Sequence, residues 1–248
     1  MPVSNQLILA CHITGIYDVN RNNVLKDDDY GLVKEWAESV RVLGLSGVIF
    51  HNNFSKSTVQ KYQNECIEFV EIEHDRQFNP NVYRYLVYQD YLNKYNKGIK
   101  SLFVTDVSDV VVVKNPFEDA LFKNDTNILF CGDEPKILDN DWMKNHSEYL
   151  RNQIADYADY EEQFKNETLL NCGIIGGSIH VMQELIEKLS QTHRHYNSNN
   201  QTAYTGDMGA FNYIARTQFN DRLHHGLPCN TVFKEYQTER QDCWFRHK

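Results

Sequence analysis

The sequence predicts an α/β fold in which helices cover both faces of a mixed, mostly parallel sheet. Short apolar runs typical of buried strands occur at 7–12, 47–50, 67–73 and 101–104. Between these runs, the segments 27–43 and 79–98 carry apolar residues at helical spacing. Strands that alternate with helices favour a parallel sheet buried on both faces.

The two predicted helices have clear start and stop signals. The helix at 27–43 begins with three aspartates, which suit the positive end of a helix, and stops at Gly44. The next helix has Asn79 as its cap and Pro80 at its first position, and Gly98 stops it. In such sheets a ligand binds at the carboxyl ends of the strands, so the loops that follow the strands should carry the chemistry.

The second half of the chain is predicted from shorter signals. Strands are expected at 110–113 and 127–131, and a helix at 143–165. Later helices should start near Ser178 and near Gly206. No repeat, low-complexity tract or Pro/Gly-rich linker interrupts the sequence, so we expect one domain over 1–248.

Composition and charge exclude several partners. The chain carries 34 acidic and 25 basic residues, a formal net charge of −9, which makes nucleic acid a poor partner. The apolar run near the N-terminus is too short to span a membrane and lacks the flanks of a signal peptide. The six cysteines are scattered without a CxxC pair, as expected for reduced thiols in a cytoplasmic protein.

The strongest functional signal is the segment FVTDVSDVVVVKNPF at 103–117. A buried strand ends at Asp106, Asp109 follows three residues later, and a second apolar strand begins at once. Two carboxylates in a turn at the carboxyl end of a strand offer hard oxygen ligands to a divalent cation. Such a cation can bridge and neutralise a diphosphate. The alternative is a solvated acidic turn between two strands.

This segment resembles the DxD segment of GT-A nucleotide-sugar glycosyltransferases, in a variant with D-x-x-D spacing and an NPF-like ending. The resemblance implies a GT-A (Rossmann-like) fold, a Mn²⁺ or Mg²⁺ cofactor and a nucleotide-sugar donor. The longer spacing leaves open whether Asp106, Asp109 or both bind the metal, and Asp106 would also contact the donor.

Two later segments match the same family in the same order. LLNCGIIGGS at 169–178 resembles the N-x-G-x-x-G segment that these enzymes place beside the donor and acceptor sugars. It implies a catalytic role for Asn171 and a donor contact at Gly173. TGDMGAFNYIA at 205–215 resembles the D-Q-x-x-x-N helix start of retaining members, which makes Asp207 the other catalytic candidate. Met208 stands where the family has Gln.

The resemblance assigns the remaining candidate residues by position. DRLHHGLPCNTVFKEY at 221–236 resembles the C-terminal strand whose histidine completes the metal site, and the glycine after His225 favours that residue over His224. Further donor contacts are expected from Thr14, Gly15 and Asp18 after the first strand and from Arg84 in the helix. The transferred or acceptor sugar is expected at Asp133 and Glu134.

The sequence therefore predicts a metal-dependent glycosyltransferase of the retaining type. It would move a sugar from a nucleotide diphosphate, UDP by resemblance, to a saccharide or glycan acceptor. Two other classes stay open: a non-catalytic carbohydrate-binding module with this fold, and a haloacid-dehalogenase-like phosphatase with Asp106 as nucleophile. The phosphatase pattern needs its aspartates after the first strand of the core, whereas Asp106 follows the fourth predicted strand.

Overall fold

The computed structural model describes residues 4–18, 22–95, 97–196 and 206–248, and their architecture is α/β. Buried apolar runs form the strands, as their alternation with helical segments predicts. The strands of the described part are β1 (Gln6–His12), β2 (Tyr17–Asp18), β3 (Asn23–Val24), β4 (Ser46–His51), β5 (Ile67–Glu71), β6 (Ser101–Thr105), β7 (Val110–Val112), β8 (Leu129–Ile137), β9 (Thr168–Ser178), β10 (Leu223–His225) and β11 (Phe245–His247).

The helices lie mainly between these strands. They are α1 (Lys34–Val42), α2 (Lys56–Tyr62), α3 (Pro80–Tyr95), α4 (Ala120–Asn124), α5 (Asp141–His146), α6 (Glu148–Arg151), α7 (Tyr157–Phe164), α8 (Ile179–Tyr196) and α9 (Asp207–Gln218). Within the described ranges, none of these helices combines the length and the apolar character that crossing a membrane requires.

Among the described residues, seven strands form the main sheet in the order β10-β8-β9-β6-β1-β4-β5. β1 pairs in parallel with both β4 and β6, β4 with β5, and β8 with β10. β9 is antiparallel to both of its neighbours, β6 and β8. The sheet is therefore mixed and mostly parallel, which confirms the predicted fold class.

Both faces of the sheet are buried, as expected when helices cover a parallel sheet on two sides. In β1, Leu7 and Leu9 join a core cluster that contains residues of α3, α8 and α9. Ile8 and Ala10 join the opposite cluster, which contains residues of α1 and β11. This alternation of side chains leaves only the ends of the strands open to a ligand.

Several elements differ from the sequence prediction, and the helix expected at 27–43 begins only at Lys34, after a 3₁₀ turn at Tyr30–Leu32. The helix expected at 143–165 is divided into α5, α6 and α7. The glycine-rich segment at 169–178 belongs to β9, inside the sheet, and α2 was not predicted. β9 carries glycine at 176 because the ring of Phe103 in β6 lies directly over it, and a Cβ there would come within 2.1 Å of that ring.

Candidate metal centre and its surroundings

The chain changes direction across the sheet between β1 and β6. From β1 it proceeds to β4 and β5 on one side, and it then returns to β6 on the other side. The carboxyl ends of two such strands enclose a crevice, which is where open α/β sheets bind ligands. β6 ends at Thr105, so Asp106 is the first residue beyond the carboxyl end of this strand.

Three side chains gather in the turn that follows β6. Asp106, Asp109 and His247 each offer one ligand atom, and these atoms lie within 4.8 Å of one another. His247 Nε2 is 3.8 Å from Asp106 Oδ2 and 4.0 Å from Asp109 Oδ2. The backbone N–H of Asp106 donates to the carbonyl of Gly173 over 2.8 Å, which anchors the turn to β9. Two carboxylates and an imidazole fit a divalent cation such as Mn²⁺.

His247 is suited to bind a metal because its imidazole is neutral. The side chain is 1% exposed, and this burial lowers its pKa to about 4 against the opposing effect of Asp106. Its Nδ1 has no hydrogen-bond partner among the described residues, and its ring packs on Phe233 with centroids 4.5 Å apart. Histidine binds metals in the neutral form, so no proton has to be removed at neutral pH.

The structure brings His247, and not His225, to the two aspartates. His225 ends β10, where its Nδ1 lies 2.9 Å from Asp133 Oδ2. His247 reaches the turn because β11 pairs with β7 in a register that sets His247 opposite Val110. Phe245 and His247 are two residues apart and therefore share one face of β11, but this alternation does not identify the strand with which β11 pairs.

Arg84 links this turn to a second carboxylate. It projects from α3, is buried, and donates from Nη1 to Asp106 Oδ1. Its Nη2 lies 3.5 Å from Asp207 Oδ2 and donates to the carbonyl of Cys172 over 3.3 Å. The guanidinium therefore stands between the candidate metal ligand Asp106 and the buried Asp207.

Asp207 is the first residue of α9 and is 6% exposed. Its Oδ1 lies 3.2 Å from His146 Nε2, and its Oδ2 faces Arg84 and lies 3.5 Å from Cys172 Sγ. The helix start adds a favourable dipole for the negative charge. His146 was not predicted from the sequence. The ring of Trp142, one turn earlier in α5, stacks on it with centroids 4.6 Å apart.

Asn171 and Gly173 lie in β9 beside the candidate metal ligands Asp106, Asp109 and His247, the metal group. A Cβ at Gly173 would come within 2.5 Å of His247 Cε1 and 2.7 Å of Asp106 Oδ2, so glycine is required at this position. Asn171 Oδ1 accepts from the Gly173 N–H over 2.7 Å, and its Nδ2 donates to Glu134 Oε1 over 3.0 Å. Burial raises the pKa of Glu134, and this bond to Asn171 opposes the rise.

The residues after β1 border a cavity of about 720 Å³. The hydroxyl of Thr14 donates to Asp27 Oδ1 over 2.8 Å, and its backbone N–H donates to Asn52 Oδ1 over 2.9 Å. Gly15 has φ +74°, a conformation that favours glycine. The backbone of Asp18 ends β2, but its side chain lies outside the described part of the structure. The cavity is lined by Thr14, Gly15, Ile16, Asp27, Asn52, Asn53, Glu71, Ile72, Glu73, His74 and Arg76.

The structure thus brings most of the predicted site residues into one connected group. Asp106, Asp109, Arg84 and Asp207 are joined through the Arg84 guanidinium and the turn after β6. Asn171, Gly173 and Glu134 adjoin this group through β9 and β8. Asp133 instead pairs with His225.

Comparison with known proteins assigns no family. A scan against protein-family models matches none of them, and a search of curated proteins finds no relative. Functional inference therefore depends on the geometry of the site.

Proposed function

We propose that the protein is a metal-dependent glycosyltransferase of the GT-A type. It would transfer a sugar from a nucleotide diphosphate, with UDP as the expected nucleotide, to a saccharide or glycan acceptor with retention of configuration. The observation that carries this proposal is the Asp106, Asp109 and His247 group at the crevice between β1 and β6. Both the position and the donor set suit a cation that holds a diphosphate.

The cation, Arg84 and a nearby cavity would each bind a different part of the donor. Bound Mn²⁺ or Mg²⁺ would supply Lewis-acid neutralisation of the departing diphosphate. Arg84 would hold Asp106 in place and add positive charge beside the phosphates. The cavity next to Thr14 and Gly15, about 720 Å³ in volume, has room for a nucleoside.

The two rival classes predict different behaviour. A phosphatase of this kind would have its nucleophilic aspartate after the first strand of the core, whereas Asp106 follows β6, the fourth strand of the main sheet in chain order. A non-catalytic module would bind sugars or nucleotides without turnover. Incubation with UDP-sugars, with and without Mn²⁺, separates these classes. A glycosyltransferase would transfer or hydrolyse the sugar, a phosphatase would release phosphate, and a non-catalytic module would consume nothing.

The metal assignment is tested by calorimetry with Mn²⁺ in the presence of UDP. His247→Gln should weaken metal binding by more than about tenfold. Loss of a residue that only hydrogen-bonds to a metal ligand already weakens metal binding about tenfold or more, and His247 would be a ligand itself. His225→Gln is the matched control, since it removes a half-buried histidine that contacts Asp133 instead. Equal loss of affinity in both variants, or full turnover in excess EDTA, would contradict the proposed centre.

A further inference from the structure

Two buried carboxylates lie beside the metal group, and their surroundings differ. Both oxygens of Asp207 face polar side chains: Oδ1 is 3.2 Å from His146, and Oδ2 is 3.5 Å from both Arg84 and Cys172. This carboxylate is enclosed on both sides by polar side chains and is only 6% exposed, which suits a residue that orders its neighbours. The sequence alone favours Asp207 as the catalytic carboxylate, and this geometry argues for another.

Glu134 has one oxygen held and one oxygen available. Its residue exposure is 9%, and Oε1 accepts from Asn171 Nδ2 over 3.0 Å. Within the described residues, Oε2 has no hydrogen-bond or ion-pair partner, and it is accessible to solvent. Asn171 is itself fixed by the Gly173 N–H, so the held side of Glu134 is well oriented.

Glu134 is separated from the metal group by a single side chain. The position where a Cβ of Gly173 would stand is 2.7 Å from Asp106 Oδ2 and 2.9 Å from Asn171 Oδ1. Asn171 therefore has its carbonyl oxygen near the metal group and its amide nitrogen on Glu134. A sugar joined to a metal-bound diphosphate would lie beside Asn171, within reach of the solvent-accessible oxygen of Glu134.

We propose that Glu134 is the nucleophile of the transfer reaction, an inference that depends on the proposed function. In the first step, Glu134 Oε2 forms a bond to the anomeric carbon while the bond from that carbon to the diphosphate oxygen breaks. The electron pair leaves with the diphosphate. In the second step, the acceptor hydroxyl oxygen bonds to the anomeric carbon and the bond to Oε2 breaks. The acceptor proton goes to the departed diphosphate. Two displacements give net retention.

The pKa of Glu134 lies above its ordinary value, and its polar neighbours oppose this rise and so favour the ionised form that the step needs. Burial raises its pKa, while the bond from Asn171 and the charges of Lys136, Lys234 and His146 lower it. A partly desolvated carboxylate with one directed hydrogen bond is also a stronger nucleophile than one in water.

The test compares Glu134→Gln, Glu134→Ala and Asp207→Ala with the unmodified protein. Glu134→Gln can keep the bond to Asn171 but cannot attack carbon, so kcat should fall at least about 1,000-fold while the Kd for UDP changes less than about threefold. Sodium azide should restore turnover in Glu134→Ala by entering the vacated space, and the product should be a glycosyl azide of inverted configuration. Asp207→Ala should not respond to azide.

The outcomes separate this inference from the proposed function. If the unmodified protein transfers sugar but Glu134→Gln keeps kcat within about fivefold, Glu134 is not the nucleophile and the proposed function stands. No glycosyl azide from a Glu134→Ala variant that still binds UDP overturns the inference in the same way. An inverted product from the unmodified protein overturns both the inference and the retention stated in the proposed function, and leaves only the metal-dependent transfer. If no nucleotide sugar is consumed with Mn²⁺ present, both proposals fall.

Discussion

Replacing Arg84 with Met should destabilise the fold and should do so through Asp207. The side chains of Arg84 and Asp207 are only 9% and 8% exposed, so the substitution leaves a buried carboxylate without its guanidinium. Breaking a buried ion pair from one side costs about 3–5 kcal/mol. The lower end applies here, because Asp207 keeps its contact with His146 and Asp106 is 34% exposed to water.

The expected loss of about 3 kcal/mol corresponds to a fall in Tm of roughly 6–12 °C for a chain of this length. Urea unfolding of four proteins checks the reasoning: unmodified, Arg84→Met, Asp207→Asn and the double variant. The double variant should be more stable than Arg84→Met by about 1–3 kcal/mol, since it removes the stranded charge. A double variant no more stable than Arg84→Met would refute the role given to this pair.

Three further predictions concern packing, pH and the donor. Gly176→Ala should cost about 1–3 kcal/mol in urea unfolding because its Cβ would meet the Phe103 ring, whereas Gly132→Ala, with neighbours at 3.5 Å or more, should cost little. Equal costs would contradict this account of β9. Burial lowers the pKa of His193 in the folded state to about 4. As the pH falls, this histidine is therefore protonated in the unfolded state before it is protonated in the folded state. Stability should therefore fall by about 3 kcal/mol between pH 6.5 and 4, and a His193→Gln variant that keeps the full pH dependence would exclude this cause. In calorimetry with Mn²⁺, UDP should bind more tightly than GDP, and much tighter binding of GDP would exclude a uridine donor.

The main-sheet strands of the first half and α3 could be predicted because each has a complete local signal. The apolar run of β1 is bounded by polar residues, and α3 has both its cap and its stop signal. β9 was missed as a strand because glycine has low strand propensity. Its glycines are required by neighbours that are distant in sequence: the Phe103 ring at Gly176, and Asp106 with His247 at Gly173.

The division of the helix expected at 143–165 has a similar origin. Apolar spacing continues through the segment, but α5 ends at His146 and α6 begins after Ser147, which is fully buried. Its hydroxyl would lie 2.9 Å from a Cβ at Gly209 of α9, so close helix packing fixes the break. The same packing directs His146 to Asp207, a contact that no local pattern could reveal.

The candidate site could be predicted as far as its motifs are continuous in sequence. Asp106 and Asp109 share one turn, and Asp207 opens a helix, so local rules find them. The choice between His225 and His247 depends instead on which strand pairs with β7. Pairing partners are set by the whole sheet, and a three-residue strand gives too little pattern to identify its partner.

The placement of His247 in β11 would couple a cation at the candidate metal centre to the folding of distant parts of the chain. The ligands come from the turn after β6 and from a strand more than a hundred residues later, and the Lys248 N–H donates to the Asp109 carbonyl over 2.9 Å. A cation bound there would close a very long loop, and it would stabilise the folded state because the unfolded state does not hold the three ligands together. Hydrogen exchange at the β11–β7 ladder would then slow in proportion to metal occupancy, so local opening of that ladder and loss of the metal would be a single thermodynamic event.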